Sequence, residues 1–315
     1  MLDELKIFTG RAHPQLAVEI CDELEVELGR SEVLKFTNDN SFVRVHESVR
    51  EADVFVVQPS CQPVNDGLME LLIMCDALKR ASVRRLTAVL PYFPYGRSDK
   101  KDQPRISITA RLVADLLQVA GVDRVLSLDL HSPQIQGFFS IPLDHLTAIP
   151  ILADYFVEKE LSNLVVVAPD AGRAKMARQF AKRLDCPMAI IDKRRLGNEE
   201  KVAMDNVIGD VGGMRCLLVD DEISSGGSLV EAVNTLDKFD AAEIYGAVTH
   251  PILTGMAPQR IASSALKELV ITNSVPVPSS KSNEKIKVLS IAPLFAEAIR
   301  CIHLGRSVST VFEKE

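Results

Sequence analysis

Tryptophan is absent, and aromatic residues make up only 5% of the 315 residues. That leaves little material for the stacked-ring platforms that hold single-stranded nucleic acid. Positive charge is also short: 36 Lys and Arg face 43 Asp and Glu, for a formal net charge of −7. A chain of that sign has no general affinity for nucleic acid or for an anionic membrane surface. A local basic pocket on it still suits a small anionic substrate. No apolar run reaches the length of a membrane span, and the first ten residues, with Asp3 and Glu4, lack the apolar stretch of a signal segment. Cysteines at 21, 61, 75, 186, 216 and 301 form no C-x-x-C pair and no His/Cys cluster at zinc spacing. They are expected to be reduced and mostly buried, as in a cytoplasmic enzyme. Neither G-x-x-x-x-G-K-[ST] nor G-x-G-x-x-G occurs, so any nucleotide is held by other means.

What is present is an ordinary globular balance, 47% apolar and 25% charged, at a length suited to two α/β domains. Short β-branched runs predict strands at 54–57, 86–90, 125–128, 164–168, 188–191, 216–219 and 244–249. Between them, apolar residues near a 3.6 period predict helices at 66–79, 107–119, 174–183 and 228–238. Alternation of strand and helix implies mainly parallel sheets flanked by crossover helices. VVVAP and CLLVDD are apolar throughout the strand, as befits strands covered on both faces. DVFVVQPS and NLVVVAPD each run from a strand through a proline turn into a helix, a weak internal echo of two similar halves. The segment 141–150, with two prolines and no strong period, is the expected junction of domains 1–145 and 146–315.

The stretch LLVDDEISSGGSLVEAV carries the first chemistry. A buried strand ends in Asp220 and Asp221, and a loop of Ser224, Ser225, Gly226, Gly227 and Ser228 opens a helix. Consecutive N–H groups at a helix start, with hydroxyls and the helix dipole, hold a phosphate. Glycines let the backbone approach it closely. The two acids at the strand end suit the 2- and 3-hydroxyls of a ribose. Without those acids, the same loop is an ordinary serine/glycine helix start. The loop resembles the phosphoribosyl-binding motif of the type I phosphoribosyltransferase fold, so two domains of that kind are expected.

NDGLMELLIMCDALKRAS, PYGRSDKKD, DLHSPQIQGFF, IDKRR and KELVITNS, in this order, resemble the ribose-phosphate diphosphokinase family over almost the whole chain. The resemblance implies Mg²⁺-dependent transfer of the β,γ-diphosphoryl group of ATP to the anomeric hydroxyl of ribose 5-phosphate, with release of AMP. It makes His131 and Asp170 the metal-site residues, although an imidazole is atypical for magnesium. It makes Lys193 and Arg195 the catalytic cations, in a segment whose first ten residues, IDKRRLGNEE, include six charges. On composition alone that segment is a solvated surface loop. Phe36, Asn38 and Asn40 of KFTNDN, with Arg97, Ser98 and Asp102, fall on the ATP side.

The resemblance further implies the phosphate-activated class: a hexamer, activated by phosphate and inhibited by ADP. Ser48, Arg50, Gln136, Ser307 and Ser309 fall at the regulatory positions. The last residues are then expected to pack back on the first domain. The chain departs from the family pattern at four places. Ser224 and Ser225 replace an acid and a threonine, Arg173 replaces the second glycine after Asp170, and Ser98 and Asn40 replace a glutamine and a glutamate. Arg173 either reaches a phosphate or blocks one. Two alternatives stand beside the kinase: a phosphoribosyltransferase and a non-catalytic regulatory homologue.

Overall fold

A computed structural model describes residues 4–193 and 205–311. Their contacts divide into two compact units. The first holds a five-stranded parallel sheet built from β1 (Leu5–Thr9), β4 (Asp53–Val57), β5 (Arg85–Leu90), β6 (Arg124–Leu128) and β7 (Leu143–Leu146). A separate antiparallel ribbon joins β2 (Ser31–Lys35) and β3 (Ser41–Val45). Helices α1 (Pro14–Leu24), α2 (Val64–Arg80) and α3 (Thr109–Val119) complete the crossovers. Every residue of β4 is buried, and Val54, Val56, Met74, Leu78, Leu86 and Leu117 share one apolar core. Each fully buried side chain of this size stabilises the fold by roughly 1.5–3 kcal/mol.

The second unit starts at Ala148. It contains α4 (Ile149–Glu158), β8 (Leu164–Ala168), α5 (Ala174–Arg183), β9 (Met188–Lys193), β10 (Asp205–Ile208) and β11 (Arg215–Ile223). Next come α6 (Gly227–Lys238), β12 (Glu243–Pro251), α7 (Ala257–Ser263), β13 (Glu268–Thr272) and β14 (Ile286–Leu289). The sheet order is β10-β9-β8-β11-β12-β13-β14, parallel except for the edge pair β9–β10. The chain builds outward from β8 to β9 and β10, then crosses to β11 and builds the other way. The strand order therefore reverses between β8 and β11, and ligands of open parallel sheets bind beyond the carboxyl ends at such a reversal. In the first unit the sheet order never reverses.

From Ser290 the chain belongs to the first unit again. There α8 (Ala292–His303) packs on α1: Arg300 Nη2 donates to the Glu23 carbonyl at 3.0 Å and Ser290 Oγ to Glu19 Oε2 at 2.7 Å. The wholly buried Asp53 carboxylate accepts two bonds from Arg85 and faces His303 Nδ1 at 2.8 Å. Burying a carboxylate is costly unless it is paired in this way. None of the described helices is long and apolar enough to cross a membrane.

The parallel sheets flanked by helices agree with the expected fold class. Several boundaries differ. β11 does not stop at Val219 but continues through Asp220, Asp221 and Glu222 to Ile223, because Asp220 and Glu222 pair with Val248 and His250 of the equally long β12. The two acids therefore lie within the strand rather than beyond its end. Likewise, Asp205–Ile208 is a strand inside what composition made a polar loop, held by pairing with β9. The proline-containing 141–150 segment carries β7 and the start of α4. None of the six cysteines is in a disulfide, and four of them are buried.

One ion cluster gives the second unit a pH signature. Bonds from Lys267, Tyr245 (2.8 Å) and Arg215 (2.9 Å) pull the Glu243 carboxyl down from about 4.5 to about 2. A depressed carboxylate contributes stability that is present above its ordinary range and lost as pH falls through the folded value. Thermal unfolding followed between pH 5 and 2 should show a steeper fall for the parent than for Glu243→Gln. Parallel curves would remove Glu243 as a source of acid sensitivity.

Candidate active site

At the sheet reversal, two chain segments come together within the second unit. After β8, Asp170 caps a short 3₁₀ turn, and its Oδ1 accepts the Arg173 N–H at 3.2 Å. A Cβ on Gly172 would lie 2.9 Å from that same oxygen, so a side chain there would crowd the cap. Asp170 is exposed. The Arg173 side chain turns to the end of β11, with Nε 2.9 Å from Asp220 Oδ1 and Nη2 2.7 Å from Asp221 Oδ1. Arg173 thus bridges both aspartates, and the forked guanidinium is the one cationic group shaped for that span.

The two acids differ in setting. The Asp220 side chain keeps 26% of its surface exposed and Asp221 only 3%. Asp220 Oδ1 also accepts the Asp221 N–H at 2.9 Å. Burial and the neighbouring Asp221 push the Asp220 carboxyl upward, against the pull of Arg173.

Beyond Ile223 the loop Ser224–Ser228 leads into α6. Gly226 is its N-cap, in the left-handed region at φ +74°, where a side chain is strained. Glycine supplies no side-chain cap, and the first turn contains no acid. The first N–H groups of a helix have no intrahelical partners, so those of Gly227, Ser228 and Leu229 stand at a helix start of the kind that suits an anion. The loop is braced from the β12–α7 connection and from α7 itself. Thr254 N–H donates to the Ser224 carbonyl at 3.0 Å, the Ser224 and Thr254 hydroxyls lie 3.2 Å apart, and Arg260 Nη1 donates to the Ser225 carbonyl at 2.8 Å. Thr254 and Arg260 carry no local sequence signal. Their role depends on β11 and β12 being neighbours.

Lys193 is the last residue of β9, opposite Asp205. β8, β9 and β11 run parallel, so it stands on the same sheet edge as Asp170 and Asp221. Arg195 lies outside the described residues.

In the first unit, His131 follows β6 and is partly exposed. Asp129 just before it is buried and left-handed, at φ 34°, a costly conformation for a non-glycine residue. Its N–H donates to the Leu146 carbonyl at 3.0 Å, and Leu130 N–H donates to His145 Nε2 at 2.9 Å. A Cβ on Gly96 would sit 3.6 Å from that of His131, so the turn carrying Arg97 lies beside it. Arg97 and Asp102 are exposed. The Ser98 hydroxyl accepts the Thr109 N–H at 3.2 Å and so serves the start of α3. Phe36, Asn38 and Asn40 are exposed at the tip of the β2–β3 ribbon, where Phe36 packs 5.6 Å from Phe42. Ser48 and Arg50 are exposed after β3, and Gln136 Nε2 bonds the Pro133 carbonyl at 2.9 Å. The Ser307 and Ser309 hydroxyls lie 2.6 Å apart near the end of the described chain.

Residues 5–121 match the N-terminal domain of ribose phosphate pyrophosphokinase, and residues 195–313 match the phosphoribosyl synthetase-associated domain. The chain is 53% identical to the ribose-phosphate pyrophosphokinase of Caldanaerobacter subterraneus over 311 residues, 98% of each chain. The chain belongs to the ribose-phosphate pyrophosphokinase family. The enzyme of that name from Deinococcus radiodurans is 52% identical over 313 residues, again 98% of each chain. That from Bacillus subtilis is 47% identical over 308 residues, 98% of this chain and 97% of the relative. The crystal structure of phosphoribosylpyrophosphate synthetase from Mycobacterium smegmatis superposes with a TM-score of 0.91 at 45% identity, covering 96% of this chain and all of that one. The match to these relatives extends over 98% of the chain.

Proposed function

We propose that the protein is a ribose-phosphate diphosphokinase, which joins the β-phosphorus of ATP to the anomeric oxygen of ribose 5-phosphate. The bond from that phosphorus to the α,β-bridging oxygen breaks, AMP leaves, and the anomeric hydroxyl gives up its proton. The β11–α6 junction, where two carboxylates precede a helix start with no side-chain cap, supports the sugar-phosphate half of this reading, and the family match over 98% of the chain supports the diphosphoryl transfer. The N–H groups of Gly227 and Ser228, with the Ser224, Ser225 and Ser228 hydroxyls, bind the 5-phosphate. Asp220 and Asp221 orient the sugar through its hydroxyls. Lys193 and Arg195 balance the charge that builds on the bridging oxygen.

The donor set suits magnesium. Asp170, which is exposed, offers hard carboxylate oxygens of the kind magnesium prefers. Asp170 and His131 would hold the ion, which when bound neutralises phosphoryl oxygens. On the ATP side, Phe36 offers a ring face to adenine, Asn38, Asn40 and Ser98 offer polar contacts, and Arg97, with Asp102 beside it, meets the triphosphate. Ser48, Arg50, Gln136, Ser307 and Ser309 form a regulatory site in a cytoplasmic homo-hexamer, where phosphate activates and ADP inhibits.

The deciding experiment mixes protein, Mg²⁺, ATP and ribose 5-phosphate and measures AMP. AMP that appears only with the sugar phosphate supports the kinase. Its absence removes that function and favours a non-catalytic homologue, in which Arg173 occupies the aspartates permanently. Arms with and without inorganic phosphate test the regulatory site, since equal rates would exclude activation.

A further inference from the structure

Two adjacent carboxylates at a sheet reversal would ordinarily make a cation site, because their mutual repulsion is relieved by any positive charge between them. In this chain that place is already taken. Arg173 sits 2.9 Å from Asp220 and 2.7 Å from Asp221, so one guanidinium faces both acids. Its side chain is only 19% exposed, so the guanidinium is packed against the acids rather than held out in solvent. The backbone secures it too, since its N–H is bound by the Asp170 cap at the start of the same turn.

We infer that Arg173 is a resident counter-ion of the Asp220–Asp221 pair, which fills the place of a divalent cation there and lowers the pair's affinity for a free one. The inference rests on the reading of Asp220 and Asp221 as the sugar-binding acids, because it says how they are kept ready. They are charge-balanced and aligned before substrate arrives, and no second free ion is needed to align them. A glycine at position 173 would leave the two acids without this guanidinium. Arg173 is in this sense a positioning residue: it acts through the two aspartates.

The test is a titration of Mn²⁺ alone into the full chain, with free Mn²⁺ followed by electron paramagnetic resonance and no substrate present. Charge, not shape, is the proposed cause. Arg173→Gln and Arg173→Gly should therefore bind Mn²⁺ more tightly than the parent by about tenfold or more. Arg173→Lys keeps the charge and should remain within about threefold of the parent. Adding Asp220→Asn to Arg173→Gln should abolish the gain, which assigns the ion to this pair.

Unchanged Mn²⁺ affinity in Arg173→Gln with a lowered melting temperature would make Arg173 a structural brace and overturn the inference. Equal tightening in the Lys and Gln variants would overturn it as well, as would a gain that survives Asp220→Asn. If Arg173→Gln fails to fold, the Arg173→Gly and Arg173→Lys comparison decides on the same readout. No turnover is needed, so a failed AMP assay would remove the kinase activity and leave this result standing or falling by itself.

Discussion

Lys193→Ala should lower kcat for AMP release by about a thousandfold or more, with the KM values for ATP and ribose 5-phosphate changed by no more than about threefold. The expectation follows from where charge develops. In the ground state the bridging oxygen of ATP carries little excess charge. As the bond to the β-phosphorus lengthens, charge moves onto that oxygen and the transferred group. A cation placed for that moment gains more in the transition state than in the bound substrate, so its removal appears in kcat. Position supports the role, because Lys193 ends β9 on the carboxyl edge shared with the ends of β8 and β11. Rapid-quench measurement of a single turnover separates this from slow product release. A normal chemical step in the Ala variant would take Lys193 out of catalysis.

The central strands of both sheets were legible because their burial is uniform. β4 and β8 are covered on both faces, and such strands appear in sequence as unbroken apolar runs. The ribbon β2–β3 was not, since SEVLK and SFVRV mix exposed and half-buried positions and depend on a partner strand for their shape. The end of β11 was misplaced for a related reason. Asp220, Asp221 and Glu222 carry the composition of a loop, yet pairing with β12 keeps them in the sheet. Local pattern records what a residue prefers, and the register of a neighbouring strand can outweigh it.

Within the candidate site, the phosphate loop could be found because its parts are consecutive: two acids, serines and glycines, then a helix. Arg173 could be noticed only as a departure. Whether it meets a phosphate or an acid depends on the ends of β8 and β11 being adjacent, although Arg173 and Val219 are 46 positions apart in the chain. Thr254 and Arg260 were invisible for the same reason, since each braces the loop across neighbouring segments.

That adjacency makes the two aspartates unequal, and their alanine variants should differ accordingly. Asp220→Ala should raise KM for ribose 5-phosphate about 10- to 100-fold, as expected for leaving a sugar hydroxyl unpaired at a cost of roughly 1–3 kcal/mol. Its melting temperature should not fall. The Asp220 carboxyl is pushed upward by burial and by Asp221, so its ionised form is unfavourable in the fold, and Arg173 retains Asp221 when it is removed. Asp221→Ala should raise the same KM and also lower the melting temperature. Its carboxylate is almost fully enclosed, and its loss leaves a cavity together with a half-buried guanidinium short of one partner. Steady-state kinetics and thermal melts on both variants test the distinction. An unchanged sugar-phosphate KM in Asp220→Ala would refute the hydroxyl contact, and equal melting temperatures in the two variants would refute the division of labour between the acid that faces the sugar and the acid that anchors Arg173.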